Sequence, residues 1–254
     1  MGIWPVTLLV STEAFLFPAW PAPGNVRALT TTRAGGVSAA PYASFNFADH
    51  VGDDPRAVQE NRQRLYERAH LPAEPLWLNQ VHGIDVVEAA HANAGTRADG
   101  AYTNQTGVVC AVLTADCLPV FVCDQAGTEV ALLHAGWRGL VAGVIEAGLR
   151  RFRAPASELL VWFGPAIGAS AYEVGADVRD AFVAHERRAA EAFAPKTAGK
   201  WTMDIYRLAR HRLEGWGVRA IYGGDHCTAT QSGLFFSYRR DGATGRMASL
   251  IWLE

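Results

Sequence analysis

The sequence has few cysteines, and none of them forms a C-x-x-C pair. The four thiols belong to Cys110, Cys117, Cys123 and Cys227 in a chain of 254 residues. The missing C-x-x-C pairs exclude zinc ribbons and thioredoxin-type redox motifs. In a cytosolic chain of this size, we expect the cysteines to be reduced core residues or metal ligands rather than a disulfide framework.

Long apolar runs and a strong charge bias are also missing. No stretch approaches the roughly 18–20 apolar residues of a membrane-spanning helix, and the formal net charge is −2. The N-terminal segment has no basic residue before its apolar run and no cleavage signal, so it is not typical of a signal peptide. We therefore expect a cytoplasmic protein that binds neither nucleic acid nor membranes.

Common nucleotide-binding and hydrolase motifs are absent. No G-x-G-x-x-G or P-loop follows a predicted strand, which argues against a doubly wound nucleotide-binding fold. The G-x-S-x-G motif is missing as well, so the sequence gives no support for a Ser-His-Asp hydrolase.

Strand patterns outnumber helix patterns. Continuous apolar strands are predicted over 107–114 and 118–123, and further strands in "NVRALTTTR", "ELLVWFGPAIG" and "GRMASLIWL". "GDDPRAVQENRQRLYERAH" predicts a helix, because Asp precedes Pro at the first helical position and apolar residues recur at helical spacing. Other helices are predicted from about Leu140 to Phe152 and near 175–193 and 204–214.

These patterns favour one α/β (α+β) domain over residues 1–254. Continuous apolar strands must be covered on both faces, so we predict mixed sheets sandwiched between helices, after an irregular lead-in at 1–24. "EPLWLNQVHGIDVVEA" is predicted to form two strands separated by a break at His82 and Gly83. The segment "FFSYRRDGATGR" is predicted to form a hairpin with a solvated charged tip.

Three potential metal ligands stand at strand ends. His82 lies in "LNQVHG", Cys117 in "TADCLPV" and His134 in "LLHAGWRG". Imidazole nitrogen and thiolate sulfur suit zinc, and three protein ligands leave a fourth position open, as in catalytic sites. From the residues alone, Cys117 is also a candidate core thiol, or a nucleophile with either histidine as its base.

Other candidate residues flank these ligands or lie in glycine-rich turns. Asp116 and Arg138 are close in sequence to the ligands, and Arg33 adjoins the Gly-Gly turn of "TTTRAGGVS", where an anion could bind. Tyr172 and Glu173 lie in the glycine-rich "GPAIGASAYEVG" loop, which is typical of segments that approach ligands.

Several motifs, in this order and spread over nearly the whole chain, resemble one known family. They are "TTTRAGGVS", "FNFADHVGDDP", "NQVHG", "ADGAYTN", "TADCLPV", "HAGWRG", "GPAIG…YEVG" and "FFSYRRDGATGR". The chain resembles the multicopper polyphenol oxidase, or laccase-domain, family. That family is also described as zinc-dependent purine nucleoside phosphorylase and adenosine deaminase, and some bacterial members as peptidoglycan editing factor.

The resemblance implies a site and an activity. It implies Zn²⁺, with copper possible in vitro, bound by His82, Cys117 and His134. The implied fold is a helix–sheet–sheet–helix sandwich similar to the catalytic domain of a bacterial deamidating toxin. The implied activities are phosphorolysis of adenosine, inosine and methylthioadenosine, and deamination of adenosine.

Roles in that chemistry follow as expectations. An acid, Asp116 or Glu173, would move the proton, and Arg33 or Arg138 would hold phosphate. Asn46 of the "FNFADH" motif and Tyr172 are further candidates for substrate binding.

Two other enzyme classes and a non-enzymatic role compete with this reading. A laccase needs a blue-copper site and a trinuclear cluster, which use more histidines and many His-x-His pairs; this chain has eight histidines and no such pair. A peptidoglycan-precursor amidohydrolase that removes misincorporated serine would use the same pocket of Cys117 and His134. A metal-buffering protein is the third alternative, although an open coordination position suits turnover better than storage.

Overall fold

A computed structural model describes residues 14–197 and 199–254. The strands in this part of the chain are β1 (Phe15–Leu16), β2 (Val26–Thr31), β3 (Val86–Glu88), β4 (Gly100–Thr103), β5 (Cys110–Thr114), β6 (Leu118–Asp124), β7 (Val130–Ala135), β8 (Leu159–Phe163), β9 (Glu173–Gly175), β10 (Phe193–Pro195), β11 (Lys200–Met203), β12 (Ala220–Gly223) and β13 (Met247–Leu253). The α-helices are α1 (Pro55–Arg68), α2 (Trp137–Ala142), α3 (Val144–Leu149), α4 (Ala176–His185), α5 (Ile205–Trp216) and α6 (Tyr238–Asp241).

Two large sheets form the centre of the fold. The four-stranded sheet has the order β1-β2-β13-β5, and the six-stranded sheet has the order β12-β8-β6-β7-β4-β3. The six-stranded sheet is mixed, since β8 and β12 pair in parallel, as do β3 and β4, while β6 and β7 are antiparallel. A small antiparallel sheet, β10-β11-β9, lies apart from both.

Side-chain alternation explains how the sheets stack. On β6, Phe121 and Cys123 pack in a cluster with residues of β5 and β13, between the two sheets. The alternate residues Val120 and Val122 pack in a second cluster with residues of the helices α2 to α5. Both faces of β6 are therefore buried, which is why its sequence is continuously apolar.

The other side of the four-stranded sheet is also covered. Leu29 of β2 and Leu250 of β13 share a third cluster with Leu65 of α1 and the rings of Phe45 and Phe47. The layers therefore follow the predicted order of helix, sheet, sheet and helix. The mixed α/β fold predicted from the sequence is confirmed.

The connection between β5 and β6 passes from one sheet to the other. β5 is an edge strand of the four-stranded sheet, and β6 lies inside the six-stranded sheet. Only the three residues Ala115, Asp116 and Cys117 lie between these strands. This short turn places Cys117 at the junction of the two sheets.

Some elements differ from the sequence prediction. The helix expected over Leu140–Phe152 begins earlier and is divided into α2 and α3 at Gly143, which has a φ of +105°. Left-handed backbone of this kind favours glycine and ends a helix. The helix expected near 175–193 ends at His185 and continues as the 3-10 helix Arg187–Ala192.

Other predicted strands are shorter or absent. Phe15–Leu16 is a strand within the lead-in expected to be irregular, and residues 1–13 of that lead-in lie outside the described residues. The chain before His82 makes isolated bridges at Leu76 and Asn79 instead of a strand. The expected charged hairpin tip contains the short helix α6.

In the part of the chain described here, no helix has both the length and the apolar character needed to cross a membrane.

Candidate metal centre

Three side chains from separate segments bring potential metal ligands together. One donor atom from each of His82, Cys117 and His134 lies within 4.8 Å of the other two. The rings of the two histidines meet edge to face at a centroid distance of 4.8 Å. His134 is buried, Cys117 is half-buried and His82 is exposed, so the cluster opens to solvent on the His82 side.

His134 is oriented by Asp99, a residue that sequence reasoning did not single out. The fully buried Asp99 carboxylate accepts a hydrogen bond from His134 Nδ1 at 2.8 Å. This contact leaves Nε2 of His134 for the centre, as in carboxylate–histidine–metal arrangements. Asp99 belongs to the "ADGAYTN" motif, one of the motifs that carry the family resemblance. The motif does not indicate what Asp99 does.

The same carboxylate fixes the loop that carries His82. Asp99 accepts backbone N–H bonds from His82 at 2.8 Å, Gly83 at 2.6 Å and Val81 at 3.2 Å. His82 has a φ of +59°, a left-handed conformation that is uncommon for residues other than glycine. Asp99 therefore positions two of the three candidate ligands.

Cys117 is held by the conformation of the β5–β6 turn. Asp116 has a φ of +91°, and its carboxylate accepts hydrogen bonds from Thr228 Oγ1 at 2.6 Å and from the Arg239 N–H at 2.7 Å. Its carbonyl oxygen accepts the Ile167 N–H. These contacts anchor the turn and with it the direction of the Cys117 side chain.

The electrostatics favour a thiolate at Cys117. Burial alone would raise the pKa of the thiol, but the charge and hydrogen bonds of His134 and His82 outweigh it and lower the pKa. Burial would lower the pKa of His134, whereas the nearby Cys117 thiolate and the Asp99 carboxylate raise it. Thiolate is the form of cysteine that ligates metals.

Glycines in "HAGWRG" leave space for the cluster. A Cβ at Gly136 would lie 2.7 Å from Cδ2 of His82 and 3.1 Å from Sγ of Cys117. A Cβ at Gly139 would lie 2.7 Å from the Gly83 carbonyl oxygen. The start of α2 can therefore approach the His82 loop only because both positions are glycine.

This donor set fits a metal ion. Two imidazoles and one thiolate are ligands that zinc accepts, and they also match the His₂Cys set of blue-copper sites. The pairing of His134 with Asp99 supplies the supporting hydrogen bond that metal-bound histidines need. Sulfur and nitrogen donors exclude a preference for magnesium or calcium.

Three other predicted residues lie around the centre. Tyr172 is half-buried, and the pKa of its hydroxyl is raised mainly by burial and secondly by the negative charge of Cys117. Arg138 is exposed at the start of α2, where its guanidinium lies 4.4 Å from the centroid of the Trp137 ring. Glu173 adjoins Tyr172 in the chain, but its carboxylate forms an ion pair with Lys196 at 2.8 Å.

Arg33 and Asn46, two further residues expected to bind substrate, both make contacts within the protein. The guanidinium nitrogens of Arg33 donate to the carbonyl oxygens of Ala43 and Ser232. Asn46 is fully buried, and its side chain bonds to Ala48, Asp53 and Arg246. Each of the two side chains thereby connects neighbouring loops of the protein.

The remaining cysteines are free thiols. Cys110 and Cys123 are buried in the cluster between the sheets, as expected from the sequence, and burial raises the pKa of each thiol. Cys227 is half-buried and accepts a hydrogen bond from the Gly168 N–H at 3.2 Å. A disulfide framework is therefore excluded, in agreement with the sequence prediction.

Relatives of known name cover almost the whole chain. A purine nucleoside phosphorylase of Pseudomonas aeruginosa is 55% identical over 243 residues, which are 95% of this chain and 99% of the relative. The purine nucleoside phosphorylase YfiH of Escherichia coli is 53% identical over 239 residues, which are 94% of this chain and 98% of the relative.

Solved structures share the fold. The crystal structure of protein NMB0706 from Neisseria meningitidis superposes with a TM-score of 0.92 at 51% identity, covering 95% of this chain and 100% of that one. YlmD from Geobacillus stearothermophilus superposes with a TM-score of 0.88 at 32% identity, covering 96% and 97%. Residues 27–254 match the family model described as multi-copper polyphenol oxidoreductase laccase. On these grounds the chain belongs to that laccase-like family.

Proposed function

We propose that this protein is a zinc-dependent purine nucleoside phosphorylase that also deaminates adenosine. Its substrates are adenosine, inosine and methylthioadenosine, which phosphorolysis converts to the free base and the ribose 1-phosphate. The observation that carries the proposal is the open three-ligand cluster in a chain more than half identical to proteins named purine nucleoside phosphorylase.

A single ion, rather than a multicopper cluster, is the cofactor that we propose. Among residues 14–197 and 199–254, His82, Cys117 and His134 make up the group of metal-binding side chains. A bound zinc ion would supply Lewis-acid chemistry at this position. A multicopper oxidase needs further histidine clusters to reduce oxygen, so we do not propose that activity.

In phosphorolysis, an oxygen of inorganic phosphate forms a bond to C1′ of the ribose. The bond between C1′ and the purine nitrogen breaks, and the departing base takes up a proton. Arg138 has an exposed guanidinium that suits phosphate. Val81 and Ile84, 39% and 41% exposed beside His82, offer an apolar surface for the purine, and Tyr172 borders the same space.

Deamination also needs a group that moves a proton. The candidates are Asp116 and Glu173, and both carboxylates already have protein partners. We assign the proton shuttle to Asp116 because it directly adjoins the candidate ligand Cys117 in the chain.

The test is to incubate the zinc-loaded protein with adenosine, with and without phosphate, and to separate the products by chromatography. We expect adenine only when phosphate is present, and inosine in both mixtures. A Cys117→Ala variant should lose zinc and both activities. Absence of every product from metal-loaded protein would contradict the proposal.

Anaerobic assays separate this function from oxidase activity. Phosphorolysis exchanges no electrons with oxygen, so its rate should be the same with and without air. An activity that needs oxygen and copper would favour the laccase alternative instead.

A further inference from the structure

Strand register places Arg246 beside the turn that carries Cys117. The antiparallel pairing of β13 with β5 sets Met247 opposite Thr114. Continuing this register by one residue sets Arg246 opposite Ala115, directly before Asp116 and Cys117. The motif around Arg246 does not reveal this position, because the position depends on a pairing between distant parts of the chain.

One half of the Arg246 side chain is fixed by the protein. Its Nη1 donates to the carbonyl oxygens of Thr244 at 2.8 Å and Gly245 at 3.0 Å. Its backbone N–H donates to Asn46 Oδ1, and its carbonyl oxygen accepts the Phe47 N–H. Asn46 is therefore a positioning residue for Arg246, which explains its burial.

The other half of the guanidinium has no hydrogen-bond partner among the described residues, although its Cζ lies 5.8 Å from the centroid of the Tyr238 ring. Neither Nε nor Nη2 of Arg246 bonds to an acceptor in residues 14–197 and 199–254, and no carboxylate there forms an ion pair with it. The side chain is half-buried, but Nε and Nη2 are not among the fully buried polar atoms without a partner, so a small ligand can reach both donors. Burial lowers the pKa of Arg246, while the negative charges of Cys117 and Asp116 raise it, which agrees with a guanidinium near the centre.

Other positive side chains lie near the same centre. The guanidinium of Arg239 lies 5.1 Å from the centroid of the Tyr172 ring, and the charges of Arg239 and Arg138 both act on the Tyr172 hydroxyl. The negative charge of Asp116 acts on Arg246, but its carboxylate accepts its hydrogen bonds from Thr228 and from the Arg239 backbone N–H. Nε and Nη2 of Arg246 are therefore left as donors for an oxyanion.

We propose that Arg246 binds inorganic phosphate beside the metal centre, through two parallel hydrogen bonds from Nε and Nη2. A guanidinium presents these donors in the geometry that a tetrahedral oxyanion accepts. This inference rests on the proposed phosphorolysis and names the residue that holds its second substrate. Arg246 takes the place that the sequence suggested for Arg33, with Arg138 as a second contact.

The test compares Arg246→Gln with the wild type in two independent measurements. Calorimetric titration with phosphate measures binding without requiring turnover, and steady-state kinetics give separate KM values for phosphate and nucleoside. Loss of a charge-assisted contact should raise the phosphate dissociation constant and KM roughly ten- to hundredfold. The nucleoside KM and the zinc content should stay within about twofold.

Two further variants make the result specific. Arg219→Gln removes an exposed arginine that donates to the Glu214 carbonyl oxygen and should leave phosphate binding unchanged. Arg246→Lys keeps the charge but loses the paired donors, so it should bind phosphate with intermediate affinity. If Arg246→Gln does not fold, the Lys variant is used for the test in its place.

Phosphate binding at wild-type strength in the folded Gln variant, or in the Lys variant if it carries the test, would overturn the inference. In that case nucleoside cleavage by the wild type would still support the proposed function. If phosphate binding depends on Arg246 but the protein cleaves no nucleoside, the proposed function is refuted, whereas the phosphate site at Arg246 is supported.

Discussion

Asp99 positions two of the three candidate metal ligands, His82 and His134. Its carboxylate accepts the His134 ring N–H and three backbone N–H groups of the loop at 81–83. The pKa of Asp99 is lowered, because the hydrogen bonds from His134 and from Gly83 and Val81 outweigh the effect of burial. An asparagine at this position would remove the negative charge. Its NH₂ group would also place a donor among the four N–H groups that point at Asp99.

Asp99→Asn should therefore weaken metal binding by roughly 10- to 100-fold, the usual effect of losing a supporting partner of a ligand. Competition with a chromogenic chelator measures the dissociation constant. Asp124→Asn is the matched control, since Asp124 is also buried and accepts N–H bonds, from Thr128 and Glu129. It should lower stability without changing metal affinity; equal metal affinity in both variants would contradict the role of Asp99.

Cys227 should be the most reactive thiol of the metal-loaded protein. Burial raises its pKa, but hydrogen bonds from Thr230 and the Gly168 N–H outweigh burial and lower it, so the reactive thiolate forms at lower pH. Iodoacetamide labelling followed by peptide mass mapping should modify Cys227 first, and Cys227→Ser should abolish this fast phase. Labelling of the buried Cys110 or Cys123 at the same rate would show the expectation to be wrong.

At the scale of single residues, the candidate metal ligands could be predicted from residue type and position. Roles that arise from contacts between distant segments could not be predicted. His82, Cys117 and His134 were visible because soft ligands at strand ends are uncommon. Asp99 was missed because its role arises from a loop that is distant in sequence. The motif of Arg33 likewise does not reveal that its guanidinium donates to protein carbonyl oxygens, and its substrate role stays a prediction.

At the scale of elements, the start of α2 is the most constrained segment. Gly136 caps this helix, and a Cβ there would meet two of the candidate ligands, whereas Gly215 lies near the end of α5 with open space where its Cβ would be. The same substitution therefore has opposite expected effects in the two helices.

Gly136→Ala should reduce metal affinity, because its Cβ would lie 2.7 Å from the His82 ring and 3.1 Å from the Cys117 sulfur. Gly215→Ala should leave metal binding unchanged and stabilise the fold by about 0.5–1 kcal/mol, the difference between the two residues inside a helix. Zinc content after dialysis and urea denaturation measure the two effects. Full zinc occupancy in Gly136→Ala would contradict the close approach described here.

Element boundaries were predictable only where the pattern was long. The helix in "GDDPRAVQENRQRLYERAH" was predicted correctly as α1 because Asp54 caps it and Pro55 begins it. The strands of the small sheet, β9 to β11, were missed because three or four residues carry little periodicity. The segment that was expected to form one helix contains Gly143 and Gly148, with Gly139 just before it, and the sequence does not show which of them has the left-handed backbone that divides it.

At the scale of the whole molecule, packing between the two sheets supports the entire fold. The fully buried ring of Phe121 lies in this interface, 5.1 Å from the centroid of the Trp162 ring. Cover on both faces of the sheets was predictable from the continuous apolar strands, whereas the order of helix, sheet, sheet and helix was implied by the family resemblance. Which strands stack on one another was not predictable, because periodicity does not encode which sheet a strand joins.

Phe121→Ala should lower the free energy of unfolding by about 3–5 kcal/mol, the usual cost of removing a buried aromatic ring. Phe17→Ala removes a ring that is 53% exposed and should cost much less. Urea denaturation followed by tryptophan fluorescence measures both variants. Equal losses of stability would contradict the importance of the interface between the sheets.

The pairing of β6 with β7 has a consequence for the order of events during folding. It sets Leu118 opposite Ala135 and Pro119 opposite His134, so the six-stranded sheet by itself brings Cys117 close to His134. A chain whose six-stranded sheet has formed but whose two sheets have not yet docked would already hold these two ligands together. Metal binding should therefore begin before the sheets dock, and a bound ion should stabilise the six-stranded sheet as an early unit of the fold.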